Sequence, residues 1–393
     1  MPPDSPADPL IGRHFGRYQI VHRIRKGGMG VVYLAKHTML GKPFAVKVVR
    51  AESSDDRVMI ERFRREAQAV ASLSHPNTVT VTDFGVTDDG LLFLVMEYLD
   101  GITCAEVLSK TGPLPPERVV HIALQVCDSL HEAHGLQLVH RDIKPNNLLL
   151  TRVAELHDVV KVIDFGLAKH TADEQDEHGG QVTRAGLLIG TPQYMPPEQI
   201  RGMEPDHRLD IYSFGVTMFR LLTGRHPFES RDVAAMFHMH LSSPPPVPSD
   251  NLPEGAMVDL DLDDVVLRCL AKEPDDRFES TAALKEALKE CASAGQWSPE
   301  QAKEGWEATR ALVQGLDVEA LLSKPMPPPV PVHTTGSVAP IPREVAPGPP
   351  TGPQTPSGPL TPSGQVPGTG ARSGMSRWRR LPNSSPPRAA ARS

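Results

Sequence analysis

Two short stretches decide the fold, LVHRDIKPNNLLL at residues 138–150 and VVKVIDFG at residues 159–166. In each, apolar residues of β type lead into or out of a polar segment, which predicts a loop and a turn set between short strands. The polar side chains that they supply are two carboxylates, an ammonium and an amide: Asp142, Asp164, Lys144 and Asn147. Such a group can hold metal ions and a nucleotide phosphate against a hydroxyl.

This combination resembles the catalytic loop and the magnesium loop of the protein kinases. More closely, it is similar to the eukaryotic-like (Hanks-type) Ser/Thr protein kinases, as found in bacteria, over roughly residues 18–291. The resemblance implies an α+β, bilobal protein kinase fold with a small β-rich N-lobe and a larger helical C-lobe. The expected organisation is a disordered leader (1–15), a kinase domain (16–291, with its N-lobe at 16–98 and its C-lobe at 99–291), a helical extension (292–324) and a disordered Pro-rich basic tail (325–393).

The resemblance also implies a role for each polar residue of the two stretches. Asp142 is expected to accept the proton of the substrate hydroxyl or to orient it, and Lys144 to neutralise charge on the transferred phosphoryl group. Asn147 and Asp164 are expected to hold two Mg²⁺ ions. A lysine two places after Asp142 is typical of Ser/Thr kinases, so ATP and protein hydroxyls are the expected reactants.

An upstream lysine completes this predicted phosphate site. Lys47 is the one charged residue in the apolar strand FAVKVV, and a buried lysine needs a partner. An edge lysine that reaches out to water is the alternative. By resemblance, Lys47 holds the α- and β-phosphates of ATP and pairs with Glu66, beside the apolar stripe of a helix predicted from about residue 56 to 73.

A glycine turn between two predicted strands, KGGMG, supplies the expected phosphate-covering loop. Glycine lets a backbone close over phosphates, but Gly27, Gly28 and Gly30 would also suit a plain hairpin. In the kinase pattern G-x-G-x-x-G-x-V, Val32 matches and Arg25 stands at the position of the first glycine. We therefore expect Arg25 to alter the affinity for ATP.

A predicted strand pair, 79–86 and 91–98, leads by resemblance to the hinge between the lobes. Met96 is the expected gatekeeper, and the backbone from Glu97 to Leu99 is expected to hydrogen-bond adenine. Val32, Ala45 and Leu149 are expected to sandwich the adenine ring, and plain core packing is the alternative for each of these residues.

A long polar activation segment follows the magnesium loop. By resemblance, Arg141 pairs with a phosphate on this segment and orders it. Thr183 is the candidate phosphorylation site, and an unmodified loop threonine is the alternative. Thr191 is expected to face the substrate and to contact Asp142 and Lys144.

Three further residues have expected structural roles. Glu198 should be buried in an ion pair with Arg277, and Asp210 should brace the backbone of the catalytic loop. Helices are predicted from Pro116 to His134, by apolar spacing, and after Ser298, where SPEQ is a capping box.

The bulk properties limit the alternatives. The chain has 393 residues, 40 prolines, four widely spaced cysteines and a formal net charge of −7. The cysteines form no CxxC pair, which favours buried reduced thiols.

With no signal-peptide pattern and no long apolar run, no membrane span is expected and the cytoplasm is the expected location. The tail has seven arginines and one acid, too little pattern to predict nucleic-acid binding.

Two rival functions remain open. A non-catalytic pseudokinase scaffold is favoured only by Arg25, since no catalytic-type residue is missing. A small-molecule kinase is disfavoured by the GTPQYMPPE segment, which resembles a peptide-binding platform. Expected partners are protein substrates, including a second copy of the chain in a transient dimer.

Overall fold

A computed structural model describes residues 8–27, 30–49, 57–165, 191–204, 206–255, 257–313 and 315–325. In these ranges a β-rich N-lobe is followed by a helical C-lobe, and the lobes are joined near residue 98. The predicted Gly28 and Thr183, and the predicted tail beyond residue 325, lie outside the described residues.

The N-lobe is built on a six-stranded antiparallel sheet with strand order β1-β2-β3-β4-β6-β5. Its strands are β1 (His14–Phe15), β2 (Tyr18–Gly27), β3 (Gly30–His37), β4 (Pro43–Val49), β5 (Val81–Val86) and β6 (Leu92–Glu97). One helix, α1 (Arg57–Ala71), packs against β5 and β6.

The side chains of β4 point alternately to the two faces of the sheet, and each face packs against a different apolar cluster. Val46 and Val48 join the apolar cluster on the outer face, whereas Ala45 and Val49 join the main core together with α1. Because side chains alternate across a strand, Lys47 shares the inner face with Ala45 and Val49. The strand therefore presents its one charge toward the interlobe cleft.

The prediction of a disordered leader was wrong for residues 8–15. Phe15 is fully buried, with its ring centroid 5.3 Å from that of Phe93. Arg13 donates to both carboxylate oxygens of Asp89, at 2.8 and 3.0 Å. One buried aromatic residue and one long-range ion pair fix this segment, and neither produces a periodic sequence pattern.

The C-lobe begins with a second antiparallel sheet, β7-β8-β9. Its strands are β7 (Gly101–Thr103), β8 (Leu148–Val153) and β9 (Leu156–Val162). Its helices are α2 (Cys104–Thr111), α3 (Pro116–Gly135), α4 (Pro197–Ile200), α5 (Arg208–Thr223), α6 (Val233–Ser242), α7 (Leu260–Cys269) and α8 (Thr281–Glu290).

Helix α5 is the centre of the C-lobe. Almost all of its residues are buried, which is why its sequence is apolar on every side rather than on one stripe. Gly215 permits close contact with α7, because a Cβ there would lie 2.6 Å from the Cβ of Cys269. The four cysteines are buried and unpaired, in agreement with the prediction of reduced thiols.

The helical extension consists of α9 (Pro299–Leu312) and α10 (Val318–Ser323). Helix α9 begins with the expected capping box, in which Ser298 accepts from the Gln301 backbone and the Gln301 side chain accepts from the Ser298 backbone. Trp306 anchors the helix in the main core. In the described part of the chain, no helix is both long and apolar enough to cross a membrane.

Buried His240 should make the protein sensitive to acid. Its Nδ1 lies 2.9 Å from the Tyr212 hydroxyl, and burial, with the nearby Lys272 and His226 charges, lowers its pKa to about 3. Because the unfolded histidine titrates near pH 6.5, the unfolded state gains a proton first as the pH falls, and stability is lost below that value. We expect the free energy of unfolding to drop by about 2 kcal/mol from pH 7 to pH 5 through this residue.

Urea unfolding of the parent and of His240→Gln at both pH values tests this expectation. The variant should lose the corresponding part of the pH dependence. An equal dependence in both proteins would contradict the assignment.

Candidate active site

The catalytic loop is fixed by one buried carboxylate. Asp210, at the start of α5, is fully buried and accepts from the backbone amides of His140 and Arg141, each at 2.8 Å. Asp210 Oδ2 also lies 2.8 Å from Nε2 of His134. Burial opposes ionisation, but these donors outweigh it and hold the pKa of Asp210 below its ordinary value. Asp210 thus braces the loop as a charged group.

His140 joins the catalytic loop to the magnesium loop. Its Nδ1 accepts from the Asp142 backbone amide at 3.2 Å, so Nε2 carries the proton that is donated to the Ile163 carbonyl at 3.0 Å. Burial lowers the pKa of His140, in keeping with this neutral form. The ring also packs on Phe165, with 4.5 Å between centroids. The two predicted loops are therefore held together from behind.

Strand pairing brings the ends of the two loops side by side. In the antiparallel pair β8–β9, Leu148 lies opposite Val162, and the Ile163 amide donates to the Asn147 carbonyl at 2.9 Å. Asn147 precedes β8 and Asp164 follows β9, so the hairpin positions both at one edge.

The polar side chains of the catalytic loop form one connected group. Lys144 Nζ lies 2.8 Å from Asp142 Oδ2 and donates to Thr191 Oγ1 at 2.9 Å. Asn147 Nδ2 donates to the Asp142 carbonyl at 2.8 Å and to its Oδ2 at 3.0 Å. The carboxylate of Asp142 is thus oriented by an ammonium and an amide, with a hydroxyl close by.

The structure pairs Lys47 with Asp164 rather than with Glu66. Lys47 Nζ lies 3.1 Å from Asp164 Oδ1, and the lysine is only 8% exposed. The expected contact with Glu66 is not among the ion pairs formed by the described residues, although that residue is half-buried on α1. Asp164 satisfies the buried charge instead, and the contact joins the two lobes.

Two residues of the site have left-handed backbone conformations. Arg141 and Asp164 both have φ of 61°. Such a conformation costs a residue with a side chain on the order of 1 kcal/mol or more and persists only where surrounding contacts hold it. The Asp210 and Lys47 contacts supply that restraint, and strain of this kind clusters at functional sites.

The residues predicted around adenine come from both lobes and from the segment that joins them. Ala45 is directly opposite Met96 across the β4–β6 pair, and both are buried. Val32 and Leu99 pack against the same core cluster. Leu149 lies beside Gly101, just past the hinge.

The hinge has a brace that the sequence reasoning missed. Glu97 Oε1 accepts from Lys161 Nζ and from the Thr80 backbone amide, each at 2.8 Å. Lys161 is the one charged residue of the apolar segment VVKVI, the same signal that identified Lys47. That signal could have indicated a partnered lysine here.

The described ends of the glycine turn lie close to the body of the N-lobe. Gly27 pairs with Gly30 across the β2–β3 hairpin. A Cβ on Gly30 would clash with the Val48 carbonyl oxygen, so only glycine fits. Arg25, exposed on β2, reaches across the cleft and donates to the Asn146 carbonyl at 3.4 Å.

A buried ion pair supports the segment around Thr191. Arg277 makes two hydrogen bonds of 2.7 Å to the Glu198 carboxylate, and both residues are at most 3% exposed. Its remaining donors bind the backbone carbonyls of Arg208, Ala271 and Lys272. Every polar atom of the pair that is removed from water is therefore engaged.

The family model described as "Protein kinase domain" matches residues 18–288. The chain belongs to the protein kinase domain family. It is 41% identical over 288 residues to the serine/threonine-protein kinase pkn3 of Myxococcus xanthus, a match that covers 73% of this chain and 52% of that protein. It is 39% identical over 275 residues to the serine/threonine-protein kinase PknB of Mycolicibacterium smegmatis, covering 69% and 42%.

Among solved structures, the kinase domain of PknI from Mycobacterium tuberculosis is similar, with a TM-score of 0.54 and 30% identity. That match covers 71% of this chain and 98% of the PknI chain. The kinase fold is thus established, whereas the match spans about half or less of each curated relative.

Breaking the buried ion pair should destabilise the protein strongly. Arg277→Met leaves the Glu198 carboxylate buried without its cation, and we expect a loss of about 3–5 kcal/mol in the free energy of unfolding. Arg201→Ala, which removes an exposed ion pair with Glu273, is the matched control and should cost under about 1 kcal/mol. Similar losses for both variants in chemical denaturation would contradict this account.

Replacing Arg25 tests its influence on the nucleotide cleft. Arg25→Gly removes the bond to the Asn146 carbonyl and frees the loop to close over phosphates, so the KM for ATP should fall about 2–5-fold. Arg23→Gly places the same flexible residue at an exposed position of the same strand and should leave the KM unchanged. An unchanged KM for Arg25→Gly would remove the hypothesis.

Proposed function

We propose that this protein is a serine/threonine protein kinase that transfers the γ-phosphoryl group of Mg-ATP to Ser and Thr hydroxyls of proteins. The observation that carries the proposal is the contact of Lys144 with both the Asp142 carboxylate and the Thr191 hydroxyl. It holds an alcohol beside a candidate base through a cation that can neutralise phosphoryl charge. The serine/threonine-protein kinases to which the chain is similar support the same activity.

The mechanism requires little covalent chemistry from the protein. Asp142 Oδ2 would orient the acceptor hydroxyl and accept its proton, while Asn147 and Lys144 fix the direction of that carboxylate. Lys144 would then stabilise the charge on the transferred group. Phosphoryl transfer has a loose transition state, so positioning and charge neutralisation supply most of the rate enhancement.

The residues present fit ATP and Mg²⁺. Asp164 offers carboxylate oxygens, and the amide nitrogen of Asn147 is bound to Asp142, so its oxygen is the atom suited to a cation. Mg²⁺ prefers such oxygen ligands and neutralises phosphate charge when bound. Lys47 would hold the α- and β-phosphates. Apolar residues of both lobes would take the adenine: Val32, Ala45, Met96, Leu99 and Leu149.

The roles in regulation and location are part of the proposal. Arg141 would receive a phosphate on the activation segment, with Thr183 as its candidate site. Proteins are the proposed substrates, including a second copy of this chain, in bacterial signal transduction. The buried free thiols support a reducing compartment such as the cytoplasm.

Phosphate mapping by mass spectrometry after incubation with Mg-ATP tests the activity. The parent should gain phosphate on its own chain, with Thr183 among the sites. Asp142→Asn keeps the hydrogen-bonding shape but removes the base, so its rate should fall at least about 100-fold.

A nucleotide-binding measurement on both proteins serves as the control. Equal ATP binding with phosphate only in the parent supports catalysis by Asp142. The contrary outcome is that ATP binds to the parent and to the variant while neither protein gains phosphate and neither phosphorylates a general protein substrate. In that case a non-catalytic scaffold becomes the better account.

A further inference from the structure

The helical extension runs from the C-lobe past the hinge to the N-lobe. We call the segment formed by Trp297, α9 and α10 the strap. Helix α9 packs against β9 and α2 of the C-lobe, whereas α10 packs against β2 of the N-lobe. With a rise of about 1.5 Å per residue, the 14 residues of α9 span about 21 Å. The strap therefore contacts elements on both sides of the interlobe cleft.

The C-lobe end of the strap is anchored on a buried charge. Trp297 Nε1 donates to Asp158 Oδ2 at 3.1 Å, and Arg118 donates to both oxygens of Asp158 at 2.9 Å. The Arg118 guanidinium also lies over the Trp297 ring, 5.4 Å from its centroid. Asp158 is fully buried with φ of 52°. An anchor of this kind fixes the start of α9 on the C-lobe.

The middle of the strap contacts the residue that follows the hinge. Arg310, in the last turn of α9, donates from Nη2 to both Asp100 oxygens, at 2.7 and 3.0 Å. The Asp100 backbone carbonyl accepts from Thr151 of β8 at 3.0 Å. Asp100 is thus held from the strap through its side chain and from the C-lobe through its backbone.

The far end of the strap is bonded to the N-lobe sheet. Lys36 of β3 donates from Nζ to the Leu322 carbonyl of α10 at 2.9 Å. This carbonyl belongs to the last turn of α10, where backbone acceptors have no partner within the helix. The lysine charge is also favourable at a helix C-terminus.

We propose that the strap restrains the two lobes about the hinge, and that Arg310 is a positioning residue for nucleotide binding. Lobe closure rotates the chain about a few hinge residues, and contacts on both sides of that rotation limit how far the cleft opens. The apparent affinity of a ligand falls with the population of the binding-competent state. Loosening the strap should therefore weaken ATP binding without changing any residue that touches ATP. The proposal rests on the proposed nucleotide site.

Titration of the full-length protein with Mg-ATP measures the predicted effect. Arg310→Ala should raise the Kd for ATP about 2–5-fold, the range expected of a partly exposed ion pair. In turnover assays the KM should rise by a similar factor with kcat little changed. Lys303→Ala, at an exposed position of the same helix, is the matched control and should bind ATP as the parent does. Arg310→Lys should recover part of the affinity.

Asp100→Ala and the double variant show whether the effect passes through this ion pair. If it does, the double variant should resemble each single variant. Additive effects, or an Arg310→Ala protein that binds ATP as well as Lys303→Ala does, would overturn the proposal.

Amide hydrogen exchange without nucleotide separates the strap from the proposed activity. Arg310→Ala should increase exchange in α10 and in the facing part of β2, whereas the amides of α5 should keep their protection. Unchanged exchange in α10 would refute the restraint even if ATP binding changed. If the parent protein bound no ATP, the proposed function would fail, and the exchange result would still decide whether the strap restrains the lobes.

Discussion

The site depends first on the buried carboxylate of Asp210. It accepts hydrogen bonds from two successive backbone amides of the catalytic loop. One of these amides belongs to Arg141, whose positive φ is unfavourable for a residue with a side chain. Without an acceptor at this point, those amides would be buried without partners, a larger penalty than the backbone strain itself. The direction in which Asp142 leaves the loop follows from this constraint. The geometry of Lys144 and Asn147 follows in turn, since both bind Asp142.

Long-range pairing of buried and half-buried charges extends this logic to the rest of the fold. Each pair joins elements that are distant in sequence: Lys47–Asp164, Glu97–Lys161, Arg118–Asp158 and Glu198–Arg277. A buried charge tolerates few alternative arrangements, so each pair specifies how two elements meet more than it adds net stability. The first two pairs lie at the cleft and hinge, the third anchors the strap and the fourth supports the segment around Thr191. The ion pairs at the cleft and hinge thus fix how the elements around the cleft meet, in addition to the packing of the apolar core.

The sequence predicted the parts of the molecule that depend on local patterns. Apolar spacing predicted a helix from Pro116 to His134, where the structure has α3 at Pro116–Gly135, and the capping box predicted the start of α9. The polar residues of the two loops were also found, because their order is unusual. The partners were predicted only in part: the resemblance implied the Glu198–Arg277 pair and the contact of Asp210 with the catalytic loop, which the structure contains, whereas the partners of Phe15 and Lys47 escaped prediction. A buried Phe15, the ion pair of Lys47 with Asp164 and the course of the strap past the hinge depend on distances between remote residues, which no periodic pattern records.

The contacts at the hinge explain why the strap bears on nucleotide binding more than on the chemical step. The segment that would meet adenine is fixed on one side by Glu97, which is bound to Lys161 and to the Thr80 amide. Just beyond it, Asp100 is fixed by Arg310 and by Thr151. The catalytic loop, in contrast, is fixed by Asp210 of α5, whereas the strap packs on β9, α2 and β2. A change in the strap would therefore shift the relation between the lobes while the Asp142 group keeps its geometry. Affinity and catalysis are thus supported by separate sets of contacts.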